Sequence, residues 1–121
     1  MHSSQQLRRT MRISNETKHV AFPVVVREMK HFSEKLLGLL YPGRPEAVYF
    51  RARFGIHTFF MKHPIDVLVL DHDFRIVAIR HSLRPWRFFF WSFRYSRVLE
   101  LPIDSIQRSG TELGDKLELI R

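Results

Sequence analysis

The sequence predicts an α+β domain built on a mainly antiparallel, curved or barrel-like sheet of about six or seven short strands, with two short helices. Three observations carry that prediction. Short β-rich runs recur along the chain, bounded by turns that contain Pro, Gly or Asp. Helical patterning is confined to two places, Leu36–Leu40 and Asp104–Arg108. After the first helix the strands follow one another mostly in sequence, as antiparallel neighbours do.

Residues 1–17 are polar, basic and without period, and read as a mobile arm ahead of a single domain at 18–121. Val20–Val26 is β-rich, and Pro23 places it at a sheet edge or a strand start. The clearest helix follows: Ser33 can cap it, Phe32 and Leu37 flank that cap as a hydrophobic staple, and Leu36, Leu37 and Leu40 form one apolar face. Pro42-Gly43-Arg44-Pro45 stops it. Ala47–Phe54 opens the β-rich part, and Gly55–Asp71 reads as two buried β segments joined at Pro64. Val67–Leu70 is apolar on both parities, which predicts a strand covered on both faces. Asp71-His72-Asp73 is a turn, and Arg75–His81 returns from it as a hairpin. In the strand Ser96–Leu101, Arg97, Leu99 and Leu101 share one face while Val98 and Glu100 share the other. A short helix capped by Asp104 is expected before Gly110, and Gly114-Asp115 turns into a last strand with Leu117 and Leu119 inward.

The composition is that of a globular chain: 121 residues, 45% apolar and 13% aromatic, enough for one self-supporting core. Cysteine is absent, which excludes disulfides, thiolate chemistry and Cys-based zinc sites. No run approaches the roughly 18 apolar residues of a spanning helix, and residues 1–19 lack the apolar core of a secretory signal, so a cytoplasmic protein is expected. The net charge of +8 is concentrated locally. Between Asp73 and Glu100 there is no acid, yet Arg75, Arg80, Arg84, Arg87, Arg94 and Arg97 fall there, a segment that attracts anions.

Five ordered motifs resemble a known family: Leu36-Leu37-Gly38-Leu39-Leu40, then Ile56–Asp71, Pro85-Trp86-Arg87, Val98-Leu99-Glu100-Leu101-Pro102 and Gly114-Asp115-Lys116-Leu117. Over about residues 33–119 the chain resembles the bacterial family catalogued as domain of unknown function 192. The resemblance implies a compact β-rich domain from a bacterium or archaeon and brings no activity with it. Two departures stand out. Phe74 or Arg75 occupies the hairpin position where that family has glycine, and an aromatic run, Phe88–Tyr95, replaces its short Gly- and Ala-containing link.

Two constellations are candidates for function. His57, Thr58, His63, Asp66 and Glu100 are polar groups among apolar strands, which cost free energy unless partnered. A satisfied buried network is favoured, ahead of a small-ligand pocket and then of catalysis. In the catalytic alternative His57 or Asp66 serves as acid or base on a small anionic substrate held by Arg51 or Arg53. On a strand His57 and Thr58 point to opposite faces, so they do not reach one pocket without a bulge. His57, His63, Asp66, Asp71, His72 and Asp73 are metal-ligand types without a metal-site spacing, and neither a metal nor a cofactor is expected. The second constellation is the segment Arg84–Arg97, with Arg84, Trp86, Arg87, Phe89, Trp91, Phe93 and Arg94 as a contact surface. Self-association through residues 86–95 is expected, with an anionic membrane or nucleic acid as the lesser options. A binding or interaction domain without its own catalysis is the reading these residues favour.

Overall fold

A computed structural model describes residues 10–29, 47–59 and 61–121. The helix expected around Ser33–Leu40 lies outside them. In chain order the strands are β1 (Thr10–Asn15), β2 (Val20–Ala21), β3 (Val26–Glu28), β4 (Ala47–Arg51), β5 (Gly55–His57), β6 (Ile65–Leu70), β7 (Ile76–Leu83), β8 (Phe88–Phe90), β9 (Arg97–Pro102) and β10 (Leu117–Ile120). Among the described residues there is one helix, α1 (Ser105–Ser109).

The main sheet runs β10-β1-β3-β4-β9-β6-β7, with β2 attached to β1, and β5 pairs separately with β8. The sheet curls until its two ends touch. Arg75, just before β7, forms a bridge with Lys116, just before β10, and the Ile76 N–H donates to the Asp115 carbonyl at 2.9 Å. A curved, β-rich sheet is therefore present, and it is mixed, because β3 and β4 pair in parallel, Val26 opposite Ala47 and Glu28 opposite Tyr49; with one short helix among the described residues, the domain is mostly β rather than the expected α+β with two helices. Parallel neighbours need a crossover of a dozen or more residues, and the chain between Glu28 and Ala47 is long enough to provide it.

Two further corrections concern what the sequence conceals. Residues 10–15 of the expected mobile arm form β1, which pairs with β10, β2 and β3. Met11, Ile13 and Asn15 are buried while Arg12 faces out, an alternation too short to stand out in a basic stretch. Phe88–Phe90 is a strand as well, although three consecutive phenylalanines show no period of two.

Alternation along the strands divides the interior in two. Leu68 and Leu70 of β6, Leu99 and Leu101 of β9, and Ala47 and Tyr49 of β4 fill the concave side with Met11, Ile13 and Leu117. Val67, Val98, Val48 and Phe50 point the other way and are covered by Ile56, Met61 and Leu83, with Phe89 and Trp91 packed against them. All six residues of β6 are buried, as expected of a strand covered on both faces. The two-stranded ribbon formed by β5 and β8 is that outer cover.

Candidate functional site

The central stretch places its polar groups on the backbone. Opposite Asp66 the register slips: Ile65 faces Leu83 and Val67 faces Arg80, so His81 and Ser82 of β7 oppose one residue of β6. Ser82 sits in that bulge at φ 49°, where the ladder leaves its N–H without a strand partner. Asp66, buried to 1% exposure, supplies one: its Oδ1 accepts the Ser82 N–H at 2.9 Å. Its Oδ2 accepts the Ile106 N–H at 3.0 Å, in the first turn of α1. Asp104, expected to cap that helix, stands at the N-cap position with φ 70° and makes no side-chain capping bond. The cap comes from 40 residues away. Thr58 does similar work at the turn before β8. Its Oγ1 donates to the Arg84 carbonyl at 2.6 Å and accepts the Arg87 N–H at 2.9 Å, while its own N–H donates to the Arg87 carbonyl at 2.9 Å.

The remaining members of that constellation do not join them. Glu100 is buried, but it stands opposite Val67 while Asp66 stands opposite Leu101, so the two carboxylates lie on opposite faces of the sheet. His57 is half-buried, its Nδ1 accepting the Phe59 N–H at 3.2 Å and its ring 4.7 Å from that of Phe59. His63 is exposed. His57 and Thr58 differ in burial as opposite faces demand. Among the described residues, Asp71, His72 and Asp73 are the one group close enough to share a cation, their ligand atoms lying within 4.8 Å of one another. There Asp71 Oδ1 already accepts the N–H groups of Asp73 and Arg75 at 2.8 and 2.9 Å, the local turn bonding expected of it.

A polar network that the sequence reading missed ties the chain's ends together. Asn15 is fully buried, and its Nδ2 donates to Thr111 Oγ1 at 2.9 Å and to Asp115 Oδ2 at 3.0 Å, while its Oδ1 accepts the Lys18 N–H at 2.9 Å. Asp115 also accepts the Glu112 N–H at 3.0 Å and, like Glu112, the Lys18 ammonium. Burial pushes the Asp115 carboxyl up, but the hydrogen bonds from Asn15, the Glu112 N–H and Lys18 outweigh it and hold the group below its usual range. Lys18 is raised by its bonds to Glu112 and Asp115. The signal available in sequence was the Gly114-Asp115 pair; Gly114 takes φ 88°, turning Asp115 back beneath β1.

At one mouth of the curl the concave face changes from apolar to charged. Along β4 the inward residues are Ala47, Tyr49 and Arg51, and along β9 they are Leu101, Leu99 and Arg97. Arg51 and Arg97 are directly opposed in register. They line a cavity of about 760 Å³ together with Tyr49, Phe74, Lys116 and Leu119. Arg97 is half-buried, its Nη1 donates to the Tyr49 hydroxyl at 3.1 Å, and its guanidinium lies 4.9 Å from the centre of the Phe74 ring. Glu28 at the rim is paired with Arg121, and Glu16 and Glu118 lie on the β10 side. Arg53, the other arginine expected to hold an anion, is exposed and does not line this cavity.

Phe74 stands at the turn where the resemblance leads to the expectation of glycine, at this position or the next. It occupies the left-handed region at φ 62°, a conformation that costs a non-glycine residue about 1 kcal/mol or more. The side chain kept at that position forms a wall of the cavity, 6.3 Å from the Tyr49 ring. Phe74→Gly is expected to leave stability within about 1 kcal/mol of the parent, because relief of strain offsets lost contacts. Phe74→Ala keeps the strain and loses the ring, and is expected to cost about 2 kcal/mol. Urea denaturation of both variants checks the contrast.

The aromatic segment expected to form a contact surface exposes its rings in a different parity. Phe89 and Trp91 face the outer core, with the Trp91 Nε1 donating to the Tyr95 carbonyl at 2.8 Å. Trp86, Phe88, Phe90 and Phe93 face solvent with Arg84, Arg87 and Arg94. Pairing of β8 with β5 sets this alternation, and without a visible partner strand the inward residues are indistinguishable from the outward ones.

The family model described as "uncharacterized ACR", domain of unknown function 192, matches residues 13–119. A UPF0127 protein of Pyrococcus horikoshii is 33% identical over 112 residues, covering 88% of this chain and 96% of that one. One from Pyrococcus abyssi is 32% identical over 114 residues, covering 89% and 97%. These relatives are archaeal, so the family is not confined to bacteria. Among solved structures, a candidate transcription regulator of Sinorhizobium meliloti superposes with a TM-score of 0.74 at 20% identity over 92% of both chains. A protein of unknown function from Novosphingobium aromaticivorans does so with 0.69 at 18%, over 90% of this chain and 83% of that one. These two likenesses concern the fold. The family match spans the sheet from β1 to β10, and with relatives above 30% identity over nearly their whole length, the chain belongs to the family of domain of unknown function 192.

Proposed function

We propose that this chain is a small-molecule binding domain without catalysis of its own, taking an anionic ligand with an apolar body in the cavity at the mouth of the curled sheet. The observation that carries this reading is the opposed pair Arg51 and Arg97. Like charges directly across a strand pair repel, and a bridging anion converts that repulsion into attraction. Arg97 is prepared for such a ligand: Tyr49 and Phe74 fix its plane, so little side-chain freedom is lost when its remaining N–H groups are engaged. The cavity has the volume of a metabolite site, and its apolar wall of Tyr49, Phe74 and Leu119 suits the ligand's body. Binding is favoured over turnover because the Asp66 carboxylate, the expected acid or base, spends both oxygens on backbone N–H groups.

Thermal unfolding in the presence of pyrophosphate and of aromatic carboxylates tests the proposal. The parent is expected to gain several degrees with at least one probe. Arg97→Leu is expected to lose that gain, with affinity falling about tenfold to a hundredfold, a charge-assisted pair being removed. A response that survives in both Arg97→Leu and Arg51→Leu would place any anion site elsewhere.

A further inference from the structure

The β5·β8 ribbon carries a surface that the cavity does not use. Trp86, Phe88, Phe90, Phe93 and Phe54 are each between 54% and 67% exposed. Four rings form a continuous ladder: Trp86 stacks on Phe59 at 5.3 Å, Phe59 meets the edge of Phe88 at 5.0 Å, and Phe88 stacks on Phe90 at 5.5 Å with 11° between planes. Phe54 and Phe93 form a second pair at 6.4 Å. The ladder is built rather than accidental. Phe90 rests over Gly55, where a Cβ would come within 2.5 Å of the Phe89 carbonyl and 2.7 Å of the Phe90 ring, and Thr58 ties the turn that presents Trp86. Residues 51–65 and 74–99 contain no acid, and Arg53, Arg84, Arg87 and Arg94 are exposed on the loops that flank this ribbon.

From this combination we infer that the β5·β8 ribbon and its flanking loops are a docking surface for an anionic lipid bilayer, with the aromatic rings seated among the headgroups and the arginines on lipid phosphates. Charge decides against a second copy of the chain: a two-fold contact through this face sets arginines against arginines with no carboxylate between them. Ring geometry favours a bilayer over single-stranded nucleic acid. A base stacks on an open ring face, and in the pairs Trp86–Phe59 and Phe88–Phe90 each ring already has one face covered by its neighbour. Exposed aromatic rings beside arginine suit the interface of an anionic membrane. No helix of the described residues is long and apolar enough to cross a membrane, so the attachment is peripheral.

Co-sedimentation with vesicles of mixed phosphatidylserine and phosphatidylcholine, and with vesicles of phosphatidylcholine alone, tests this. The full chain is expected to bind the anionic vesicles and to release as salt rises, with the fluorescence of Trp86 moving to the blue in a Trp91→Phe background. Phe88→Ser with Phe90→Ser is expected to weaken partitioning about tenfold or more, and Arg84→Gln with Arg87→Gln about fivefold per arginine. These side chains are exposed, so circular dichroism of the variants should match the parent. Failure to bind either vesicle, equal binding to both, retention of a single-stranded RNA through Phe88 and Phe90, or a dimer abolished by Phe88→Ser would each overturn the inference.

Discussion

Replacing Asp66 with alanine is expected to lower stability by about 3 kcal/mol and the melting temperature by roughly 10 °C. The carboxylate accepts from two backbone N–H groups: that of Ser82, displaced from its ladder by the bulge, and that of Ile106 in the first turn of α1. Each charge-assisted bond contributes on the order of 1.5–3 kcal/mol, and alanine leaves both donors stranded. Asp66→Asn keeps one acceptor and turns an amide N–H toward the other donor, so it should cost about 1–3 kcal/mol. If Asp66→Asn melted with the parent, the carboxylate would have a role other than holding the backbone.

The second large effect belongs to Asp115. Asp115→Ala removes the acceptor shared by the Asn15 amide, the Glu112 N–H and Lys18, leaving a fully buried amide partly unsatisfied, and should also cost about 3 kcal/mol. Its pH signature distinguishes it from a packing defect. The folded carboxyl titrates below its ordinary range, so it binds a proton less readily folded than unfolded. Its contribution is therefore complete above about pH 4, the unfolded value, and is lost as pH falls through the lower folded value. Stability measured by urea unfolding between neutral pH and pH 2 should fall more steeply in the parent than in Asp115→Asn. Equal slopes would mean that this carboxylate is not linked to folding.

Much of the sheet could be read from sequence because its strands announce themselves locally. Val67–Leu70 has no polar parity and is covered on both faces, and Arg97–Leu101 alternates as its two environments require. Gly110 ends α1 in the left-handed conformation expected after a helix. What was hidden depends on partners distant in sequence. β1 carries only Met11 and Ile13 as apolar signal, and β8 is uniformly aromatic. The parallel pairing of β3 with β4 has no local signature. The candidate sites follow the same rule. Thr58 and Asp66 are recognisable as polar residues in buried strands, but the register that separates Asp66 from Glu100 is not. The cavity draws Tyr49, Phe74 and Arg97 from three segments, and no local pattern joins them.

In the proposed division of labour, the polar groups of the central stretch hold the backbone and the mouth of the curl receives the ligand. Backbone amide shifts followed during titration with pyrophosphate test it directly. Saturable changes are expected at Tyr49–Arg51, Phe74, Arg97 and Lys116–Leu119, with His57, Asp66 and Glu100 unmoved. Saturable changes centred on His57, Asp66 and Glu100, with the mouth unmoved, would contradict it.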